Sequence, residues 1–371
     1  MTVVDVTQWY SPVSGGIRTY LRAKARWAAA NGRAHGAVVT GDRGGSELVA
    51  ASVFARVRGH TPARRWGYRV ALRPAPLRDA LEGLAPSVVV LHDALAFPRA
   101  LRRWAAARGV PVVLVCHSDL TRAVVGLPAP ARRPASAVLG RVQREALRSA
   151  DLVLVASEGM RDRVAPHAPA PVVVSALGVE ARAFAQAVPD PALRARLAPP
   201  HGRLVLYAGR LSSEKRVDLL PAVLRALDPA DVLVVAGTGA AGAALARRAR
   251  RLGVADRMVL LGHVSDRARL ATLMATADCM VHPNPHEPFG LALLEALAAG
   301  TPVVAPRTVG IAAVLAEAGA TLVAPGDAGA LADGVRRAMD GPPPSLDPDR
   351  VDWRATFARE WARYDGLRAA A

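Results

Sequence analysis

At 371 residues the chain exceeds what one hydrophobic core ordinarily organises and fits two domains of average size. Its 51% hydrophobic and 21% charged content excludes a disordered chain, and no apolar run approaches the roughly 18–20 residues a bilayer span needs. The formal charge of +17 is carried by arginine, which supplies 46 of the 48 basic residues; only Lys24 and Lys215 are lysines. With abundant Ala, Gly and Pro, this reads as the bias of a GC-rich genome. The arginines are spread along the chain without an RNA- or DNA-binding motif, so nucleic acid is not an expected partner. Contact with an anionic membrane surface or a phosphorylated acceptor would suit such a surface.

The N-terminus, Met1-Thr2-Val3-Val4-Asp5-Val6, lacks a basic segment and reads straight into a strand, so a cytoplasmic protein without a signal peptide is expected. Short β-branched strands then alternate with Ala/Arg-rich helices, the rhythm of parallel α/β sheets. Strands are expected at 3–6, 37–40, 88–91, 112–116, 152–156 and 172–176 in the first half. In the second half they are expected at 204–207, 232–236, 258–261, 279–282, 303–305 and 321–323. The stretch 149–157 echoes 276–284, each reading as helix end, Ala-Asp turn, strand and polar loop. The Pro/Ala/Arg-rich segment 127–134 reads as a mobile loop, and Gly341-Pro342-Pro343-Pro344 breaks the chain before a last helix. That helix carries Trp353, Phe357, Trp361 and Tyr364 on one face, a packing stripe. Cys116 and Cys279 lie at the ends of apolar strands in different halves and are expected as buried small hydrophobes, not as a disulfide or metal pair.

Several strand ends carry chemistry. Ser14-Gly15-Gly16-Ile17-Arg18 opens the first helix, where Gly15 and Gly16 let backbone approach a ligand and the helix start favours an anion. His92-Asp93 and His117-Ser118-Asp119 follow strands at the edge where open α/β sheets bind ligands. Gly209-Arg210-Leu211-Ser212-Ser213-Glu214-Lys215 places two cations on the turn beyond another strand. Gly237-Thr238-Gly239-Ala240-Ala241-Gly242 has the form of a dinucleotide fingerprint. That fingerprint belongs on the first strand of its unit with an acid ending the next strand, yet the next strand here ends in Gly262-His263-Val264. A turn, not a nicotinamide site, is therefore expected.

The most informative stretch is His286-Glu287-Pro288-Phe289-Gly290-Leu291-Ala292-Leu293-Leu294-Glu295. A helix is expected to start near Gly290, with the N–H groups of Phe289, Gly290 and Leu291 free to face a phosphate. Glu295 inside the helix can accept two ribose hydroxyls, and Glu287 stays in the loop. Paired carboxylates also serve glycosidases, but a glycosidase has no use for a phosphate-binding helix end.

These motifs resemble the retaining GT-B glycosyltransferases, in particular family 4, over nearly the whole chain and most specifically in its second half. The resemblance implies two Rossmann-like domains facing across a cleft: an acceptor domain at 1–178, a nucleotide-sugar domain at 179–350, and a closing helix at 351–371 that packs back on the first domain. It implies that Arg210 and Lys215 neutralise the leaving diphosphate, supported by Gly209, so that no metal is needed. It further implies that Glu287 and His117 contact the donor sugar, that Glu295 holds the ribose, and that Val264 faces the base beside the Gly237 turn. Gly15 and Gly16 would meet the donor phosphates and the acceptor, and His92, Asp93 and Asp119 are acceptor-side candidates. Front-side attack assisted by the leaving phosphate is the implied mechanism. The opening Trp9-Tyr10-Ser11-Pro12-Val13-Ser14-Gly15-Gly16 resembles actinobacterial mannosyltransferases that extend phosphatidylinositol mannosides, which points to GDP-mannose before UDP-glucose or another UDP-sugar. A phosphorylase on the same fold and a catalytically silent carbohydrate-binding protein stay open.

Overall fold

A computed structural model describes residues 1–11, 16–61, 68–117, 120, 129–287 and 289–370. The chain forms two compact units, Met1–Ala176 with Trp353–Ala371, and Leu177–Asp352.

The first unit is built on an eight-stranded sheet: β1 (Thr2–Thr7), β2 (Ala34–Gly41), β3 (Gly45–Val49), β4 (Ser52–Arg58), β5 (Val88–Leu91), β6 (Val112–Cys116), β7 (Leu152–Val155) and β8 (Val172–Val174). Their spatial order is β3-β4-β2-β1-β5-β6-β7-β8, parallel except for β3 against β4. The central strands read as unbroken Val/Leu runs because helices cover both faces, and β5 to β7 are buried at every position. The closing helix Trp353–Ala370 belongs to this unit. Its stripe is buried as the four-four-three spacing requires: Trp361 and Tyr364 pack with Val3, Val88, Val90 and Val113, and Trp353 and Phe357 meet Tyr20.

The second unit is a six-stranded, wholly parallel sheet: β9 (Leu204–Ala208), β10 (Val232–Ala236), β11 (Met258–Gly262), β12 (Cys279–Val281), β13 (Val303–Pro306) and β14 (Thr321–Val323). Its order is β11-β10-β9-β12-β13-β14. Each sheet therefore reverses direction once beside its first strand, between β1 and β5 and between β9 and β12. At such a reversal the loops leaving neighbouring strands diverge to opposite faces and open a crevice at the carboxyl ends. Both units are thus doubly wound α/β sheets.

Two expectations are corrected. The hairpin β3–β4 was not expected, because its turn carries a left-handed Ala50 (φ 52) in place of the usual Gly or Asn. Its polarity also hides it: Glu47 pairs with Arg22 and Arg56 on a sheet edge. From residue 129, the segment read as a mobile loop is instead the start of the helix Ala129–Leu147. Pro130 lies in the first turn, where its missing N–H costs nothing, and the Ala/Arg run favours a helix despite Pro134. Cys116 and Cys279 are buried, and neither is in a disulfide. Among the described residues no helix is long and apolar enough to cross a membrane.

Candidate functional site

In the second unit the loops leaving β9 and β12 meet at the reversal. A short 3-10 turn, Ser213–Lys215, brings the Lys215 ammonium to 2.5 Å from Glu287 Oε2. His282 Nε2 lies 3.2 Å from the same oxygen and Asn284 Nδ2 3.3 Å, while Gly310 N–H donates to the Glu287 carbonyl at 2.7 Å. Burial opposes the charge on Glu287, but the Lys215 ammonium and His282 hold its carboxyl well below the usual range. This carboxylate is therefore ionised, with a cation permanently beside it. Arg210 projects from the same loop with its side chain 56% exposed, 3.8 Å from Glu214. One cation is anchored and the other is free to reach.

Gly237 and Gly239 owe their identity to packing between loops. A Cβ at Gly237 would sit 1.8 Å from the Gly209 carbonyl oxygen, and one at Gly239 would sit 2.2 Å from that of Leu211. The exits of β9 and β10 run backbone against backbone, tied by Gly209 N–H to Ala236 O (3.0 Å) and Leu211 N–H to Thr238 O (2.9 Å). The fingerprint-like glycines thus follow the second strand of the unit and support the loop that bears Arg210 and Lys215.

The helix after β12 is Leu291–Ala298, with Gly290 as its N-cap. Gly290 takes φ 81, a left-handed conformation, and an added Cβ would meet Leu293 Cδ1 at 2.8 Å. Phe289 is buried behind it, and the first N–H groups of the helix, Leu291 among them, lack intrahelical partners by geometry. Glu295 is 5% exposed and its Oε1 accepts from Arg267 Nη2 at 2.6 Å. Arg267 also donates to Glu180 at 3.1 Å and lies over the Phe184 ring. Desolvation disfavours its charge, but Glu295 and Glu180 keep it protonated. Val264, two residues past β11, is half-buried. Pro288 lies outside the described residues.

In the first unit, Gly16 opens the helix Gly16–Ala30, whereas Gly15 and Asp119 lie outside the described residues. His92 and His117 follow β5 and β6, and His92 Nδ1 lies 2.8 Å from His117 Nε2. Asp93 is already occupied. Its Oδ2 accepts from Gln8 N–H (2.8 Å) and the Thr7 hydroxyl (3.2 Å), and its Oδ1 from Leu95 N–H (3.0 Å). It ties the exit of β1 to that of β5. Burial raises its pKa above the ordinary carboxylate value despite these bonds, making it a weaker acid.

Sequence reading missed Arg267, His282 and Asn284 as partners of the two glutamates, and Asp5, Lys24 and Glu360 as a buried network. The polar run His282-Pro283-Asn284 directly after an apolar strand was the available signal for two of them. Arg267 lies 28 residues from Glu295, and no local spacing links them.

Comparison with known proteins places this geometry. Residues 14–181 match Glycosyltransferase Family 4, and residues 191–356 match Glycosyl transferases group 1. The chain is 34% identical over 328 residues to a GDP-mannose-dependent alpha-(1-6)-phosphatidylinositol dimannoside mannosyltransferase of Mycobacterium tuberculosis, covering 86% of this chain and 83% of that protein. It is 32% identical over 289 residues to a glycogen synthase of the same species, covering 74% of this chain and 64% of that one. A sucrose-phosphate synthase from Thermosynechococcus elongatus has the same fold, with a TM-score of 0.80 at 21% identity over the full length of both chains. The chain therefore belongs to the family 4, group 1 glycosyltransferases of GT-B fold, enzymes that move a sugar from a nucleotide-sugar donor to an acceptor.

Proposed function

We propose that this glycosyltransferase moves mannose from GDP-mannose to a hydroxyl of a glycan or glycolipid, with retention at the anomeric carbon and without a metal. The observation that carries the donor reading lies within the second unit. Lys215, which shares the β9 exit loop with Arg210, is paired with Glu287 on the β12 exit, four residues before the helix Leu291–Ala298, at the reversal of the sheet. Cations held there stabilise charge that builds on the departing diphosphate, the function a metal serves elsewhere. Glu295 holds the ribose hydroxyls, Val264 faces the base, Gly237 supports the phosphate loop, and Glu287 and His117 contact the sugar. Gly16 stands at the start of the first helix, by the phosphates and the acceptor.

The acceptor oxygen bonds to the anomeric carbon as the carbon–phosphate oxygen bond breaks on the same face, and the acceptor proton passes to the departing phosphate. The choice of mannose and of a phosphorylated lipid acceptor rests on the name of the mycobacterial relative. The excess of arginine suits a peripheral position on the inner, anionic face of the cell membrane.

The test is sugar transfer by the purified protein from radiolabelled GDP-mannose or UDP-glucose, with chelator present, to vesicles containing phosphatidylinositol mannosides. Chelator-resistant mannose transfer with an α linkage is expected. Transfer of glucose only, or transfer abolished by the chelator, would contradict the reading.

A further inference from the structure

A buried polar chain crosses the first unit. It begins at Glu360 on the closing helix, which accepts from Tyr20 (2.5 Å), Tyr364 (3.2 Å) and Ser175 (3.2 Å). Lys24 follows, with Nζ 3.8 Å from Glu360 and 2.8 Å from Asp5 Oδ1, enclosed by the rings of Tyr20, Trp361 and Tyr364. Asp5, in β1, takes His35 Nε2 on Oδ2 at 2.6 Å and His92 Nε2 on Oδ1 at 2.7 Å. His92 Nδ1 then meets His117 Nε2 at 2.8 Å, the two rings lying 18° from coplanar.

Each link fixes the next. Burial opposes the charge on Asp5, but Lys24 and the bonds from His35 and His92 hold its carboxyl well below the usual range, so it is ionised. An ionised carboxylate only accepts, so His92 carries a proton on Nε2. A second proton on Nδ1 would set a cation beside the Lys24 ammonium on the same carboxylate oxygen, so the neutral imidazole fits. Its Nδ1 is then an acceptor, and His117 must donate through Nε2–H. Desolvation pushes His117 down to about 3, so it is neutral and its Nδ1 is bare.

We infer that Asp5 and His92 are positioning residues that lock His117 in its Nε2–H tautomer, so that its bare Nδ1 accepts from a hydroxyl of the transferred sugar. This rests on the reading of His117 as a contact of the donor sugar. Among the described residues His117 hydrogen-bonds to His92 alone, and it is partly exposed where β6 ends. A bare acceptor discriminates: it binds a sugar hydroxyl and gives nothing to a group that cannot donate.

The deciding experiment is histidine-selective ¹⁵N NMR of the full chain without donor, with His117 assigned by comparison with His117→Gln. A protonated Nε2 and a bare Nδ1 are expected across about pH 6–8, the range in which an ordinary histidine titrates. An Nδ1–H tautomer, or an averaged pair, overturns the inference. His92→Phe keeps the ring and leaves Asp5 its Lys24 and His35 partners. It should release the tautomer and lower turnover by about 10–100-fold, the order of loss when a partner orienting a functional histidine is removed. Nucleotide affinity should not change. Wild-type turnover in that variant also overturns the inference; if the variant does not fold, the wild-type spectrum decides. Failure of the donor reading would appear instead as unchanged nucleotide binding in Glu295→Ala, with the tautomer intact.

Discussion

The two units each set a lysine against a carboxylate beside the strand-order reversal, and these two lysines are the whole lysine content of the chain. In the first unit Lys24 and Asp5 are sealed, both side chains at 0% exposure. In the second, Lys215 and Glu287 keep 18% and 10%. Arginine stands almost everywhere else, whereas a compact ammonium suits a site closed by Asp5, Glu360, the Tyr364 hydroxyl and three aromatic rings. The difference in exposure separates two uses of one chemistry. A sealed pair cannot be reached, so it organises side chains around it. A half-open pair is desolvated enough to hold firmly and stays accessible from outside.

The largest effect should come from unsealing the first pair. Lys24→Met leaves Asp5 buried without its cation and should cost about 3–5 kcal/mol. All six tryptophans lie in the first unit, so tryptophan fluorescence during urea unfolding reports on that unit alone. An unchanged midpoint would contradict the sealed-pair account. Lys215→Ala should behave oppositely. Its urea unfolding, followed by circular dichroism because the second unit holds no tryptophan, should change little, while turnover falls by about 10²–10³-fold, the order seen when a donor to developing negative charge is lost. A stability loss matching that of Lys24→Met would erase the contrast. Arg210→Ala, on the exposed partner, should cost less, on the order of tenfold in kcat/KM.

The smallest effect is in mild acid. Burial lowers His35, and desolvation lowers His117 from 6.5 to about 3. A base whose folded value is depressed gives stability that is whole above its unfolded value and is lost as pH falls toward the folded one. The first unit should therefore weaken as pH falls from 6.5 toward about 3. The second, whose Glu287 is depressed from 4.5, should hold until below that value. Hydrogen exchange of the two sheets at pH 7 and 5 would show the order, and a second unit that opened first would break the comparison.

The same contrast explains what was legible in the sequence. In the second unit Arg210 and Lys215 share one loop, and Glu287 and Glu295 flank one helix start, so their spacing is visible along the chain. In the first unit, Asp5, Lys24, His92 and Glu360 come together only through the sheet and the closing helix; Tyr20 and Glu360 are 340 residues apart. No window of sequence contains that network. The α/β rhythm and the aromatic stripe were readable because burial imposes their periods. The β3–β4 hairpin was hidden by its alanine turn and charged edge. Gly237 and Gly239 were readable as a turn, but the backbone they pack against belongs to another loop.

The most direct measurement is calorimetric titration of the wild-type protein and Glu295→Ala with GDP, UDP and ADP, without metal. Selective binding of GDP, weakened about 100-fold when the carboxylate proposed to hold the ribose hydroxyls is removed, is the expected result. Equal GDP affinity in the two proteins, or no nucleotide binding by the wild type, would contradict a donor site at the β9–β12 reversal.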